Sequence, residues 1–163
     1  MSSYLRPKRS EIDNSVLRFS KKADYGLMAI HYIAFHQHAG VVNTKRIAED
    51  LGIPVEVLAK ILQRLAKRSL IASVNGPKGG YVLARPPGEI RISEVLRAIE
   101  GPFALVNCYR TLQCPQLDRC NIRRPVLTIQ TSIERFLEKM TLEQMNSLAE
   151  PAGLPSTLAG AKS

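Results

Sequence analysis

The sequence has no tryptophan, only 6% aromatic residues and only three cysteines among 163 residues. Few aromatic side chains disfavour an RNA-binding surface, which usually stacks bases on aromatic rings. Three cysteines are too few for a secreted disulfide scaffold, and their odd number leaves one unpaired. No window approaches about eighteen consecutive apolar residues, which excludes a transmembrane helix, and the polar, basic residues 1–9 do not resemble a secretory signal. These absences predict a cytoplasmic protein with no membrane partner.

Acidic residues are also missing from one long stretch of the chain. The net charge is +9, from 23 Lys and Arg against 14 Asp and Glu. Residues 60–85 contain six basic residues and no acidic one. Such a one-sided distribution suits a surface that contacts a phosphate backbone, and it predicts a nucleic-acid partner.

The first half of the chain has the pattern of three short helices followed by a β-hairpin. Asn43 is placed to cap the second helix and Gly52 to end it, and Pro54 suits the first turn of the third. Two β-rich runs, 70–74 and 81–83, flank a turn. This order predicts a winged helix-turn-helix. The apolar stripe of the first helix is formed by Tyr25, Met28, Ala29, Tyr32 and Ile33.

The second half predicts a helix from Ser93 to Gly101, a long helix opening at Pro125, and a short helix that begins with a Thr141–Gln144 capping pair. The apolar seam of the long helix consists of Val126, Ile129, Ile133, Phe136, Leu137 and Met140. The predicted fold class is mainly α with a small β-hairpin: a winged helix-turn-helix domain plus a long helix. The predicted divisions are a flexible basic arm (1–16), the winged domain (17–88), a linking helix (89–101), a loop with all the cysteines (102–124), the long and short helices (125–150) and a flexible tail (151–163).

The third helix has an apolar back and a Lys, Arg and Gln front, which fits the major groove of DNA. Lys and Arg donate to guanine, and Gln pairs with adenine. Glycines at the hairpin tip let the backbone approach the duplex, while Lys78 supplies charge to phosphate or the minor groove. The alternative is a solvated basic helix beside a plain turn. The predicted contacts to double-stranded DNA are Lys45, Glu56, Lys60, Gln63, Arg64, Lys67, Asn75, Lys78 and Gly79.

Cys108, Cys114 and Cys120 have the spacing C-x5-C-x5-C, which is not that of paired zinc knuckles. Thiolates suit iron–sulfur clusters, and three of them leave a ligand position open. Three alternatives stay open: unliganded structural cysteines, a thiol–disulfide switch, and a zinc-stabilised module whose basic face binds an acidic protein. No histidine pairs with a cysteine in a catalytic pattern, so neither an enzyme nor a small-molecule substrate is predicted.

Three stretches together resemble the IscR/NsrR family of bacterial winged-helix transcription regulators: FSKKADYGL at 19–27, GPKGGY at 76–81, and the cysteine triad. The resemblance covers residues 17–148. It implies a homodimer built on the seam of the long helix and a [2Fe–2S] or [4Fe–4S] cluster on the three cysteines. It also implies a repressor whose operator binding is controlled by that cluster, which senses nitric oxide, redox state or iron and cluster supply.

The same resemblance bears on the fourth cluster ligand. IscR-like members have a His three residues after the last cysteine, where this chain has Arg123. NsrR-like members use an Asp at the start of the first helix, reaching the partner subunit's cluster, and Asp24 occupies that place. A carboxylate in a first helical turn is also favoured by the helix dipole alone, by about 0.3–1 kcal/mol. Asn75 stands where many members have Arg, and Ala59 where IscR-like members have Glu, so the operator is not carried over.

Overall fold

The computed structural model describes residues 18–106 and 114–148. The helices are α1 (Lys21–Phe35), α2 (Thr44–Leu51), α3 (Val55–Lys67), α4 (Ile92–Glu100), α5 (Arg123–Lys139) and α6 (Leu142–Leu148), and the strands are β1 (Ile71–Val74) and β2 (Gly80–Leu83). Short 3-10 turns occur at Gln37–Ala39, Pro87–Glu89 and Leu117–Arg119. The predicted fold class is confirmed. The predicted arm and tail lie outside the described residues.

No helix in the described part of the chain is long and apolar enough to cross a membrane.

The predicted caps form as expected. The Asn43 side chain accepts from the backbone N–H of Lys45 at 2.8 Å, and Gly52 ends α2 in the left-handed region at φ 63°. Thr141 and Gln144 form a reciprocal pair before α6, in which each side chain accepts from the backbone N–H of the other, at 2.9 and 3.1 Å. These two helices therefore begin where local sequence places them.

Other boundaries differ from the prediction. Helix α4 begins at Ile92, one residue early, because the Glu94 carboxylate accepts from the backbone N–H of Arg91 at 2.9 Å. Helix α5 begins two residues before Pro125. A proline is tolerated there because the first four N–H groups of a helix have no partner within it. Met28 is 39% exposed rather than part of a buried stripe.

The hydrophobic core is formed mainly by the four helices α1, α2, α3 and α4, together with β1 and one residue of α6. Its fully buried side chains include Ile30, Ile33, Ile47, Leu58, Leu62, Leu65, Leu70, Ile71, Ile90, Val95 and Leu142. Helices α1 and α4 approach closely at Gly26, where a Cβ atom would lie 1.9 Å from Cδ1 of Ile99. A small residue on α1 thus sets the distance between these helices.

The hairpin of residues 71–83, which we call the wing, is attached to the start of α2. Its strands are antiparallel, with Ile71 opposite Leu83. Val42 bridges to β2 through Val42 N to Tyr81 O at 3.0 Å and Tyr81 N to Val42 O at 2.9 Å. Gly80 permits this approach, because a Cβ atom there would lie 2.2 Å from the carbonyl oxygen of Val42.

A short turn connects α3 to the wing. The backbone N–H groups of Arg68 and Leu70 both donate to the Leu65 carbonyl, at 3.2 and 3.1 Å, and that of Ser69 donates to Ala66 at 2.9 Å. Ser69 adopts a left-handed conformation, φ 55°, which is uncommon for a residue with a side chain. Three hydrogen bonds therefore fix the direction in which the chain leaves α3.

Candidate functional site: nucleic-acid interface and cysteine segment

Helix α3 is amphipathic as predicted. Its inner face buries Leu58, Ile61, Leu62 and Leu65. The predicted DNA-contacting residues on this helix are all exposed on its outer side: Glu56, Lys60, Gln63, Arg64 and Lys67. Contact with DNA by these residues stays a prediction.

Arg64 also has an intramolecular partner that spacing did not reveal. Its Nη1 atom donates to the carbonyl oxygen of Ile99 at 2.8 Å, near the end of α4. A guanidinium has five N–H donors, so this bond occupies part of its capacity. Lys60, Arg64 and Lys67 follow one another at helical spacing. Nothing in the sequence therefore indicates that Arg64, unlike the two lysines, forms a hydrogen bond within its own chain.

The wing presents the remaining predicted DNA contacts beside α2. Asn75 and Lys78 are exposed and Gly79 is half-buried. Asn43, predicted only as a cap, also donates through Nδ2 to the carbonyl oxygen of Gly79 at 3.3 Å. Lys45 is exposed and lies 3.9 Å from a carboxylate oxygen of Glu49.

An open groove of about 330 Å³ lies on the surface where the start of α2 meets the wing. Its lining is Asn43, Thr44, Ser73, Val74, Asn75, Gly76, Pro77, Gly79, Gly80 and Tyr81. The lining side chains are mostly small and polar, a composition that suits a phosphate group.

The cysteine segment, residues 108–120, is described from Cys114 onward. Cys114 and Cys120 are free, half-buried thiols on either side of the Leu117–Arg119 turn. The N–H of Leu117 donates to the Cys114 carbonyl at 3.0 Å. Cys108 lies outside the described residues. Two accessible thiols so close in sequence fit a cluster-binding role in their chemistry.

The described ranges of one protomer bring no three His, Cys, Asp or Glu side chains together as a metal site. Asp24 lies exposed in the first turn of α1. Arg123, the first residue of α5, is exposed. The four predicted ligands are therefore not gathered in the part of a single chain that is described, and their grouping stays a prediction.

The apolar seam predicted for the long helix is partly exposed, and its last residue, Met140, follows the end of α5. Ile129 and Phe136 are 52% and 61% exposed. The other seam residues are half-buried: Val126, Ile133, Leu137 and Met140. An exposed seam of this kind suits a contact with a second copy, and dimerisation through it stays a prediction.

The fully buried side chain of α5 is polar, and sequence reasoning missed it. Gln130 is 0% exposed. Its Oε1 accepts from Leu105 N at 2.8 Å, and its Nε2 donates to the Phe103 carbonyl at 2.7 Å. Gln130 lies four residues after Val126 and three before Ile133, so a glutamine inside an apolar seam was the available clue.

Two titratable groups tie elements of the site together. Burial, and then the hydrogen bond that the phenol donates to Asp50 on α2, raises the pKa of Tyr32 on α1 to about 12. Burial opposes ionisation of Glu94 on α4, but the Arg91 backbone N–H and the Arg85 guanidinium, 3.0 Å away, outweigh it and lower the pKa of that carboxyl.

Comparison with known proteins gives consistent matches over most of the chain. Residues 19–147 match the model of the Rrf2 family, described as iron-dependent transcriptional regulators. The HTH-type transcriptional regulator IscR of Xenorhabdus nematophila is 32% identical over 129 residues, which cover 79% of each chain.

Solved structures agree with these matches. The structure of T. potens IscR superimposes with a TM-score of 0.66 at 32% identity, covering 85% of this chain and 93% of the other. CymR, the global cysteine regulator of B. subtilis, gives a TM-score of 0.68 at 26% identity, covering 82% and 99%. The resemblance inferred from the motifs is confirmed.

Proposed function

Because the chain belongs to the Rrf2 family of DNA-binding transcription regulators, we propose that it is a homodimeric repressor whose operator affinity is controlled by an iron–sulfur cluster. The observation that carries the proposal is the exposed polar face of α3 beside the wing, in one chain with the accessible thiols of Cys114 and Cys120.

On DNA, α3 lies in the major groove with Lys60 and Gln63 toward the bases. The wing extends along the adjacent backbone, where Lys78 pairs with a phosphate. The polar groove between α2 and the wing takes another phosphate, because its glycines leave the backbone accessible. Two such units in a dimer contact half-sites about one helical turn apart.

The DNA part is tested with a duplex that the wild-type protein selects from a randomised pool. We expect the affinity to fall steeply with salt, and Lys78→Gln to reduce the slope by about one phosphate contact. Gln63→Ala should cost about 1–3 kcal/mol and relax the sequence preference. Lys139→Ala, an exposed lysine at the end of α5, is the matched control. Binding without sequence preference, or an unchanged slope in Lys78→Gln, would point instead to an acidic protein partner.

Cys108, Cys114 and Cys120 would hold the cluster, with Asp24 of the partner subunit as fourth ligand. When bound, the cluster supplies a group that nitric oxide, oxygen or loss of iron destroys. The protein contributes the position of the thiols: Cys120 lies three residues before α5, the helix that carries the dimer seam. A change around these thiols is therefore transmitted directly to the start of α5.

The cluster is tested by anaerobic purification, absorbance, and assay of iron and acid-labile sulfide. Cys114→Ser should abolish the absorbance while the far-ultraviolet circular dichroism stays unchanged; unfolding of this variant would support structural zinc. Asp24→Ala should alter cluster stability and the nitric-oxide response but not dimerisation, with Glu89→Ala, an exposed carboxylate in the Pro87–Glu89 turn, as control. An iron-free, sulfide-free anaerobic preparation would contradict the proposal.

A second function is favoured by the free state of Cys114 and Cys120 and by the similarity to CymR. In a thiol switch, the two thiols lose two protons and two electrons to a peroxide or a disulfide, and an S–S bond forms. Operator affinity would then change when metal-free protein is treated with hydrogen peroxide, and dithiothreitol would restore it. The mass of the oxidised chain would be lower by two hydrogen atoms.

A further inference from the structure

Helix α5 holds the chain that leads into the cysteine segment through one buried amide. Within Arg123–Lys139, which is described throughout, Gln130 is the residue with a fully buried side chain. It bonds to both Phe103 and Leu105, and its Nε2 also lies 3.3 Å from Glu134 Oε1. The Gln130 side chain thus provides Phe103 and Leu105 with the kind of hydrogen-bond partners that a neighbouring strand would provide in a sheet.

A buried amide is an expensive way to stabilise a helix contact. Its burial costs free energy that its hydrogen bonds only offset, whereas an apolar side chain would contribute directly. A polar group inside an apolar seam instead fixes the register of the parts that it joins. Gln130 therefore fixes the position of residues 103–105 along the axis of α5.

Both ends of the cysteine segment are attached to the same helix. Cys120 lies three residues before Arg123, and Leu105 lies three residues before Cys108. At a rise of 1.5 Å per residue, Arg123 and Gln130 are about 10 Å apart along the axis. A rearrangement around the thiols therefore acts on a segment whose two ends are both fixed to α5, one of them through Gln130.

Residues 103–105 border a cavity of about 240 Å³, which Phe103 and Ala104 line together with Leu96, Glu100 and Leu137. Because the segment is not close-packed at this cavity, its two hydrogen bonds to Gln130 contribute directly to fixing its position.

Residues 103–105 follow α4 closely in the chain, and the end of α4 is hydrogen-bonded to α3. Gly101 and Pro102 are the two residues between α4 and Phe103. At this end of α4, the Ile99 carbonyl accepts from Arg64 of α3 at 2.8 Å. The connection from α5 to the DNA-contacting helix thus consists of two hydrogen-bonded contacts joined by a few residues of chain.

We propose that Gln130 and Arg64 are positioning residues that transmit the state of the cysteine segment to α3, through residues 103–105 and the end of α4. The regulatory part of this inference rests on the proposed function. The mechanical part does not, and it is tested separately.

The mechanical part is tested by hydrogen exchange and mass spectrometry on the full-length, metal-free protein. Gln130→Met keeps the volume of the side chain and removes its amide. We expect faster exchange at residues 103–105, in the last turn of α4 and in the last turn of α3. Thr131→Val, the adjacent exposed residue on α5, should leave all three unchanged. Faster exchange confined to residues 103–105 would overturn the proposal.

A second variant approaches the connection from its other end. Arg64→Gln should raise exchange in the last turn of α4 and leave the thiols untouched. If Gln130→Met fails to fold, Arg64→Gln decides the question. Wild-type exchange at the end of α4 in Arg64→Gln would refute the connection.

The regulatory part is read from a ratio of dissociation constants for the selected duplex. The ratio compares metal-free protein with protein reconstituted anaerobically with ferrous iron and sulfide. Allosteric coupling in proteins is about 5- to 150-fold, and both Gln130→Met and Arg64→Gln should bring this ratio close to one. Cluster absorbance should be that of the wild type. If Arg64 only contacts DNA, both affinities fall equally and the ratio persists, which overturns its positioning role.

The two proposals fail in different ways. A wild-type ratio of one, or no cluster, contradicts the proposed function and leaves the exchange experiment to decide the mechanical connection. A large wild-type ratio that persists in Gln130→Met contradicts the inference and leaves the proposed function intact.

Discussion

The attachment of the wing to α2 depends on the absence of a side chain at position 80. In Gly80→Ala the new Cβ would lie 2.2 Å from the Val42 oxygen, 2.6 Å from its carbonyl carbon and 2.9 Å from the Asn43 Cα. All three are backbone atoms, so no side-chain rotation relieves the clash. The variant can fold only if the wing moves away from the start of α2.

That movement breaks three hydrogen bonds: the two between Val42 and Tyr81, and the one from Asn43 to Gly79. At about 1 kcal/mol each, their loss amounts to about 3 kcal/mol. The reduced freedom of alanine in the unfolded chain offsets about 0.4–1 kcal/mol. We expect a net decrease of about 2–3 kcal/mol in the free energy of unfolding. At roughly 2–4 °C per kcal/mol for a chain of this size, the Tm falls by about 4–12 °C.

The assay is urea unfolding at fixed protein concentration, since the proposed dimerisation would make the stability depend on concentration, together with affinity for the selected duplex. Displacement of the wing should weaken DNA binding about tenfold, equivalent to about 1.4 kcal/mol. Gly88→Ala is the control, because its nearest neighbour is the mobile end of Glu143 at 2.8 Å, and it should change stability by less than about 0.5 kcal/mol. Equal stability and affinity in the two variants would refute the argument.

Three further predictions follow from single contacts. Asn43→Ser should keep the cap of α2 but lose the bond to the wing, so circular dichroism melting should show less destabilisation than the roughly 1 kcal/mol expected of Asn43→Ala, while both weaken DNA binding. Because the pKa of Tyr32 is raised to about 12, the folded state holds the phenol proton more tightly than the unfolded state does. The resulting contribution to the free energy of unfolding is complete below pH 10 and is lost as the pH rises toward 12. Tyr32→Phe should therefore make the free energy of unfolding, measured in urea titrations, depend less on pH in this range. The pKa of Glu94 is lowered, so its contribution is present above about pH 4.5 and is lost as the pH falls through the lower value; Glu94→Gln should unfold at acid pH with a shallower dependence on pH.

Local sequence rules were sufficient for the order of the helices, for the caps of α2 and α6 and for the hairpin, but not for the starts of α4 and α5. Asn43 and Gly52 mark the two ends of α2 through capping interactions that act within a few residues. The burial of Leu58 and Leu62 follows from helical spacing alone. The winged fold could therefore be predicted because its elements are short and their ends are marked by capping residues.

The contacts between distant parts of the chain could not be predicted. Arg64 and Ile99 are 35 residues apart, and Gln130 and Leu105 are 25 apart. Helical spacing gives the face on which a residue lies but not the neighbour across that face. Met28 shows the same limit: it fits the apolar stripe of α1, yet the buried face runs through Gly26, where α4 packs close to α1, as well as through Ile30 and Ile33.

The turn at Ser69 has a consequence for the operators that this protein can use. Since three hydrogen bonds fix the passage from α3 to the wing, the DNA complex proposed above has, in each protomer, a constant distance between the base pairs under α3 and the phosphates under the wing. One inserted base pair between these two footprints moves them apart by about 3.4 Å along the duplex, and so short a turn has no slack to follow. Operators of different length can therefore differ in the spacer between half-sites, but not within a half-site.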